Sequence, residues 1–358
     1  MPAFLGLQDA VHSSYLAVDF FFCLSGFVVA FAYEQRLRDG LGLAAFLSAR
    51  LIRLYPVYLL ATVVGLGFVL QGYPFHSISF GLARFLLLIA GAFLMLPVHG
   101  RPSPLLYPLD FPAWSLFFEL CANAAFAVLI AKGWASRKVL LATSILSLVA
   151  LLFWKNQGHP LGAIGWESTA PSFFFGFPRV ALSFALGVGT LYLYKTRASQ
   201  TWNSVFQRII SLAVALSVLC ILFAPFSFMR TENFNLFAIS ILFPVLVFLG
   251  ARVNIPASLH GICEFLGKTS YPLYLLHIFF VQPLSSASFE RYAVSHSIMA
   301  RITSICVVLI ALVVSYVVAR FYETPVRELL TRAYNKHRKA PSLQSSPINT
   351  KANVETAL

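Results

Sequence analysis

An acidic residue inside a long apolar run is the feature that most constrains this chain. Residues 18–27 read VDFFFCLSGF, so Asp19, Ser25 and Gly26 lie within a run long enough to cross a bilayer. A carboxylate surrounded by hydrocarbon is unfavourable by several kcal/mol unless it meets a partner or water. A segment that served only as an anchor has no use for such a group. The run therefore predicts a membrane protein that carries out chemistry within the bilayer.

The composition and the apolar runs predict an all-α polytopic membrane helix bundle. Of the 358 residues, 59% are hydrophobic and 11% are charged, far from the mixture typical of soluble domains. A spanning helix needs about 20 apolar residues. Ten runs approach that length, at roughly 15–33, 54–70, 82–97, 112–131, 139–154, 176–194, 209–225, 235–250, 270–284 and 302–321.

The net charge of +13 indicates which loops are cytoplasmic, and its placement argues against a nucleic-acid surface. The basic residues gather in loops between runs, and loops rich in Lys and Arg stay cytoplasmic. They include Arg36, Arg38, Arg50, Arg53, Lys132, Arg137, Lys138, Lys195, Arg197, Arg208, Arg252 and Lys268. This placement predicts about nine spans and an external start. The short run at 82–97 is then predicted to be re-entrant or interfacial.

The connections between runs are mostly short, so we predict one membrane domain over residues 1–334. Residues 335–358 are polar and basic with Pro and Ser, which predicts a disordered cytoplasmic tail. No metal site is expected, since His260 and Cys263 lack further ligands nearby and the five cysteines show no metal spacing.

Five short motifs follow one another along the chain. They are YLAVDFFF with LSGF at 15–27, RLIRLYP at 50–56, PAWSL at 112–116 with Glu119, SYPLYLLH at 270–277 and FYETP at 321–325. In this order they resemble acyltransferase family 3, the integral-membrane O-acyltransferases. The resemblance covers nearly the whole predicted membrane domain.

The resemblance implies a membrane O-acyltransferase of the cell (inner) membrane. Such an enzyme moves an acyl group, commonly acetyl, from cytoplasmic acyl-CoA to a hydroxyl of a glycan, a lipid-linked sugar or a small molecule. Acyl-CoA is then a co-substrate, and no tightly bound cofactor is expected. The partners implied are the acyl-CoA donor, the hydroxyl acceptor and the lipid bilayer.

One departure from the family pattern concerns the catalytic base. The family's first helix carries a basic residue about ten positions before a histidine, and no such pair occurs here. The resemblance, with its ten helices, therefore implies that a preceding helix is missing, and His12 is the candidate substitute for the base. Two alternatives stay open: a transporter that uses the same polar residues as a substrate path, and a truncated inactive relic of the family.

The candidate catalytic residues are Glu119, Ser115 and His12, because esterification needs a base, aligned reactants and a stabilised oxyanion. Ser115 and Glu119 are four residues apart and share a helix face on the acceptor side. The candidate substrate-binding residues are Arg50, Arg53, Asp19, Trp114, Tyr274 and His277.

Each candidate also has a structural interpretation. Glu119 is expected to pair with Arg179 if it is structural, and Trp114 to be an interfacial anchor. Asp19 is expected to be structural or supporting, and Arg50 and Arg53 to bind either CoA phosphates on the inner side or lipid headgroups. His277, bonded to Tyr274, is placed about 10 Å from the inner side by counting from residue 270. Glu323 is expected to form an ion pair with Arg320 or Arg327.

Overall fold

The computed structural model describes residues 15–71, 81–98, 105–197, 204–223, 231–253, 257–285 and 297–337. The secondary structure of this part of the chain is helical, apart from one isolated β-bridge between Leu105 and Glu167. The helices are α1 (Leu16–Arg38), α2 (Leu43–Leu70), α3 (Leu82–Phe93), α4 (Trp114–Ala131), α5 (Arg137–Asn156), α6 (Ala170–Arg197), α7 (Ser204–Phe223), α8 (Glu232–Arg252), α9 (Ala257–Val281), α10 (Ser297–Val318) and α11 (Thr324–His337). The predicted all-α class is confirmed.

Seven of the described helical segments are long and apolar enough to cross a membrane. They are α1, α2, α4 with the turn before it, α5, α6, α8 and the continuous helix formed by α10 and α11. The chain is therefore a multi-pass membrane protein, and the number of about nine spans stays a prediction. Helix α3 has 12 residues and is about 18 Å long, too short for a hydrocarbon core of about 30 Å. This length agrees with the predicted re-entrant or interfacial segment.

Two helices begin well before the apolar runs that predicted them. The run at 54–70 belongs to a helix that starts at Leu43, and the run at 270–284 belongs to a helix that starts at Ala257. The added turns carry polar and charged side chains, which the apolar pattern excluded. As a consequence, Arg50 and His277 lie deeper in their helices than the runs suggested.

Helices α1 and α6 approach each other closely through two glycines. A Cβ at Gly187 would overlap the carbonyl oxygen of Cys23, and a Cβ at Gly26 would overlap the carbonyl oxygen of Phe184. Small residues that let two backbones meet are typical of helix pairs in membranes, where packing drives association. The close approach places the polar residues of α1 directly against α6.

The same two helices are joined at the end that carries the basic loops. Glu34 accepts hydrogen bonds from Arg38, from the Tyr192 hydroxyl at 3.0 Å and from Lys195 Nζ at 3.2 Å. Glu34 and Arg38 belong to α1, and the other two residues belong to α6. The first and third basic loops therefore lie on the same side of the bundle, as the charge pattern predicted.

A π-helical turn over Ala319–Glu323 joins α10 to α11. Pro325 follows this turn and has no N–H to continue a regular helix ladder. The Thr324 hydroxyl donates to the Ala319 carbonyl at 2.9 Å. Helix α11 continues to His337, so the first three residues of the predicted disordered tail are helical. The rest of that tail, 338–358, lies outside the described residues.

The contact between α1 and α6 gives a test with a matched control on one helix. Gly187→Ala should lower the free energy of unfolding by about 1–3 kcal/mol, because the new methyl group forces the two backbones apart. Gly189→Ala has no atom within 4 Å of the added Cβ and should leave stability unchanged or raise it slightly. Thermal unfolding of both variants in detergent measures the difference. Equal unfolding temperatures for the two variants would contradict the packing described.

Candidate functional site

The Asp19 carboxylate on α1 forms a buried, two-pronged ion pair with Arg179 on α6. Arg179 Nε donates to Oδ1 at 2.9 Å, and Nη2 donates to Oδ2 at 2.7 Å. The relative exposure of the two residues is 0% and 1%. Paired charges with several hydrogen bonds are the form in which a bilayer tolerates ionised groups.

The remaining donors of Arg179 are used by backbone carbonyls and an aromatic ring. Nη1 donates to the carbonyl oxygens of Leu161 and Ile164 at 3.1 and 3.0 Å. The guanidinium carbon lies 5.3 Å from the centre of the Trp114 ring. Arg179 thus joins α1, α4 and the segment before α6. The expectation that Arg179 pairs with Glu119 was wrong, because α6 presents this arginine to α1 instead.

Glu119 on α4 forms the second ion pair of the bundle interior. Arg50 Nη2 donates to Glu119 Oε1 at 2.6 Å, and the Ser25 hydroxyl donates to the same oxygen at 2.7 Å. Among the described residues, no hydrogen bond goes to Oε2. The Glu119 side chain is 17% exposed and that of Arg50 is 6% exposed. Arg50 and Ser25 therefore fix the Glu119 carboxylate through Oε1, while Oε2 accepts no hydrogen bond from the described residues.

The contact between Arg50 and Glu119 corrects their assignment to opposite sides. Arg50 was placed at the cytoplasmic boundary, and Glu119 was placed near the acceptor on the outer side. Because α2 starts at Leu43, Arg50 lies about 10 Å inside that helix. From this depth its long side chain reaches the carboxylate on α4.

Arg53 lies one turn further along α2, with a side chain that is exposed. Its electrostatic neighbours include Arg50, Glu119 and Arg327. Glu323 is 9% exposed, and its Oε1 lies 3.9 Å from Arg327 Nη1. The predicted pairing of Glu323 with Arg327 is thus confirmed. Arg53 therefore has charged side chains of both signs near it.

Ser115, Tyr274 and His277 form a separate hydrogen-bonded group near the start of α4. The Ser115 and Tyr274 hydroxyls are 2.8 Å apart, and each also lies 3.1 Å from the Pro112 carbonyl oxygen. His277 Nδ1 donates to the Tyr274 carbonyl oxygen at 2.7 Å, which leaves Nε2 as the acceptor nitrogen of a neutral ring. Ser115 therefore contacts α9, whereas Glu119 contacts α1 and α2.

The expected depth of His277 was wrong. Counting from residue 270 placed it near the inner side, but α9 begins at Ala257, and His277 follows that residue by about 30 Å of helix. The hydrogen bonds of Tyr274 place this part of α9 beside the turn Phe111–Ala113. Tyr274 and His277 thus lie on the side of the bundle that the charge pattern assigns to the outer face.

Trp114 is buried at 4% exposure, with its ring packed against Phe22 and Phe118 as well as Arg179. An interfacial anchor faces lipid headgroups, so the anchor interpretation does not fit this position. Gly165 packs directly against the indole, since a Cβ at this position would lie 2.7 Å from the ring. Its positive φ of 95° also favours glycine. The indole thus fills the bundle interior next to the first turn of α4, which also carries Ser115.

Asp110 precedes the turn Phe111–Ala113, and its carboxylate has no hydrogen bond within the described part of the chain. Its relative exposure is 2%, and both carboxylate oxygens are buried. It lines a cavity of about 10 Å³, room for about one water, together with Tyr58, Thr62 and Tyr107. Burial raises the pKa of this carboxyl well above its usual range. Burial therefore favours the protonated form of the Asp110 carboxyl.

Some functional candidates escaped the sequence interpretation, and one lies outside the structure described. Ser25 belongs to a motif that was recognised but received no role. Its hydroxyl within the apolar run 18–27 was the available signal. His12 lies outside the described residues. Over the described ranges, no three His, Cys, Asp or Glu side chains stand close enough to hold a metal ion.

Comparisons with known proteins agree with the motif order. A family model described as an acyltransferase domain, of the acyltransferase 3 type, matches residues 4–320. A protein of Rhizobium radiobacter described as "Protein 2 in picA locus" is 37% identical over 158 residues, which is 41% of this chain and 78% of that protein. No solved structure matches the chain.

The raised pKa of Asp110 predicts how stability changes with pH. The folded state holds a proton that the unfolded state loses near pH 4, so wild-type stability falls as pH rises from about 4 towards the folded pKa. Asp110→Asn keeps the shape without the titration. Its gain in unfolding temperature over wild type should therefore grow between pH 4 and pH 8. Asp39→Asn, at an exposed position, should show no such gain. A difference that does not depend on pH would contradict the burial argument.

Proposed function

The chain belongs to acyltransferase family 3, and we propose that it is a membrane O-acyltransferase that uses cytoplasmic acyl-CoA. The group transferred is an acyl group, with acetyl the first candidate. The acceptor is a hydroxyl of a glycan, a lipid-linked sugar or a small molecule, and polysaccharide modification is one such activity. We assign the protein to the cell (inner) membrane.

The observation that supports this proposal most directly is the carboxylate of Glu119, held by Arg50 and Ser25 inside the bundle. A membrane helix has no structural need for a glutamate whose second oxygen makes no hydrogen bond to the described residues. An oxygen in that state suits a hydroxyl acceptor or a histidine base that it orients. Ser25 and Arg50 hold the carboxylate in a fixed position for that purpose.

The reaction itself is balanced without a further reagent. The acceptor oxygen forms a bond to the acyl carbon, the carbon–sulfur bond of the thioester breaks, and the hydroxyl proton ends on the CoA sulfur. A base must hold that proton in transit, and a histidine, with His12 as the candidate in this sequence, fits the task. The base is part of the proposal.

The polar groups follow one another along the bundle in an order that suits a donor and an acceptor from opposite sides. Arg53, with Arg327 near it, offers guanidinium groups for the phosphates of CoA. Glu119 lies beside this cluster, in contact with Arg50. Ser115, Tyr274 and His277 lie towards the proposed outer side, where they suit the hydroxyl acceptor. In this arrangement Arg50 holds Glu119, and Arg53 is the residue for the phosphates.

Glu119→Gln should lower acyl transfer by about 100-fold or more, because an amide cannot take or orient the proton that the reaction moves. The measurement is thiol release from labelled acetyl-CoA by purified protein in detergent, with uptake into vesicles measured in parallel. Glu328→Gln, on an exposed part of α11, is the matched control and should keep full activity.

Folding of the Glu119 variant needs its own check, because the change leaves Arg50 without its anion. Ser25→Ala removes one hydrogen bond from the same oxygen and leaves the ion pair in place, so it should lower transfer by a smaller factor. Wild-type turnover in a folded Glu119→Gln protein would exclude the proposed role. Solute uptake without thiol release would support a transporter instead.

Arg53→Ala should raise the KM for acetyl-CoA more than it lowers kcat, because it removes a phosphate contact that is present before and during the reaction. Arg332→Ala is the control, since this arginine is exposed on α11 and pairs only with Glu328 among the described residues. Steady-state kinetics over a range of acetyl-CoA concentrations separates the two constants. An unchanged KM would reassign Arg53 to lipid contact or topology.

A further inference from the structure

Asn123 is a fully buried amide one helical turn from Glu119. Its relative exposure is 0%, and neither Oδ1 nor Nδ2 has a hydrogen bond to a described residue. Buried amides almost always have hydrogen-bond partners, because burial removes their hydrating water and an unpaired amide gains no hydrogen bond in its place. Helix α4 runs towards the basic loop that follows Ala131, so Asn123 lies on the cytoplasmic side of Glu119.

A second unpaired atom lies on the same side. Arg50 bonds to Glu119 through Nη2, but its Nε is buried and has no partner among the described residues. Arg50 enters from the cytoplasmic part of α2, so Nε lies on the cytoplasmic side of Nη2. Asn123 offers a donor at Nδ2 and an acceptor at Oδ1, and Arg50 offers a donor at Nε.

This set of donors and an acceptor is complementary to a secondary amide. The carbonyl oxygen of such an amide accepts from Nδ2 or Nε, and its N–H donates to Oδ1. The pantetheine arm of CoA contains two secondary amides between its phosphates and its sulfur. A donor that enters from the cytoplasmic side with its thioester near Glu119 brings that arm past Asn123, which lies between Glu119 and the basic loop after Ala131.

We propose that Asn123, together with Arg50 Nε, binds an amide of the pantetheine arm of acyl-CoA. The inference rests on the proposed function, because it takes acyl-CoA as the donor. It adds a contact that recognises the arm rather than the phosphates or the acyl group. Asn123 would therefore let the protein bind CoA more tightly than nucleotides that carry the same phosphates but lack the pantetheine arm.

The test compares two ligands on the purified full chain in detergent. CoA carries the amides, whereas adenosine 3′,5′-bisphosphate keeps two of the phosphates and lacks the arm. Asn123→Leu should weaken CoA binding about tenfold, the value of a good hydrogen bond or two, and should leave binding of the bisphosphate unchanged. Dissociation constants come from ligand-dependent shifts of thermal unfolding.

The unfolding temperature of the unliganded variant gives a second readout. An apolar side chain in place of an unpaired amide is neutral or stabilising, so Asn123→Leu should unfold at the same temperature as wild type or higher. A purely structural asparagine would lower it. Asn233→Leu, at an exposed position on α8, should change neither affinity. Arg53→Ala should weaken both ligands alike, because it acts on phosphates.

The outcomes separate this inference from the function it rests on. Equal weakening of both ligands by Asn123→Leu, or unchanged CoA binding, overturns the amide contact and leaves the acyl-CoA donor in place. A lower unfolding temperature with unchanged affinities assigns Asn123 to structure. If wild-type protein binds no CoA at all, the donor assignment fails and the amide contact fails with it.

Discussion

Each ionised side chain inside the bundle needs an opposite charge or hydrogen-bond partners, because hydrocarbon offers neither. Two ion pairs meet that need, Asp19 with Arg179 and Glu119 with Arg50. Helix α1 takes part in both, since Asp19 belongs to one pair and Ser25 donates to the other. The position of α1 is therefore set by charge as well as by the glycine contact with α6. Any shift of α1 along its axis would disturb both pairs together.

The two ion pairs differ in how many of their polar atoms have hydrogen-bond partners, and this difference distinguishes a structural pair from a candidate functional one. Asp19 and Arg179 are sealed from solvent, and backbone carbonyls use the further donors of the guanidinium. The hydrogen bonds to Glu119 both go to Oε1 within the described structure. Arg50 Nε is buried without a partner among the described residues. A pair that only stabilised the fold would gain from satisfying these atoms. For this reason we propose the second pair, and not the first, as the one that meets substrate.

The all-α class, the short third helix and the basic side of the bundle were predictable from the apolar runs and the charges. The identity of charge partners was not, because a sequence shows which residues share a helix face but not which helix faces them. Arg179 was expected at Glu119 and pairs with Asp19. The depths of Arg50 and His277 were wrong for another reason: the polar turns at the starts of α2 and α9 are helical but do not look apolar.

The contact between Arg50 and Glu119 also limits how Arg50 can serve a donor. A guanidinium at 2.6 Å from a carboxylate cannot turn to a phosphate without leaving that carboxylate unpaired inside the bundle. In the proposed reaction the phosphates are then left to Arg53, whose side chain is exposed. Since Arg50 and Arg53 are one turn apart on α2, a single helix face would carry both tasks. The thioester and the hydroxyl would meet at a carboxylate inside the bundle, so that the acyl group need not cross the membrane alone.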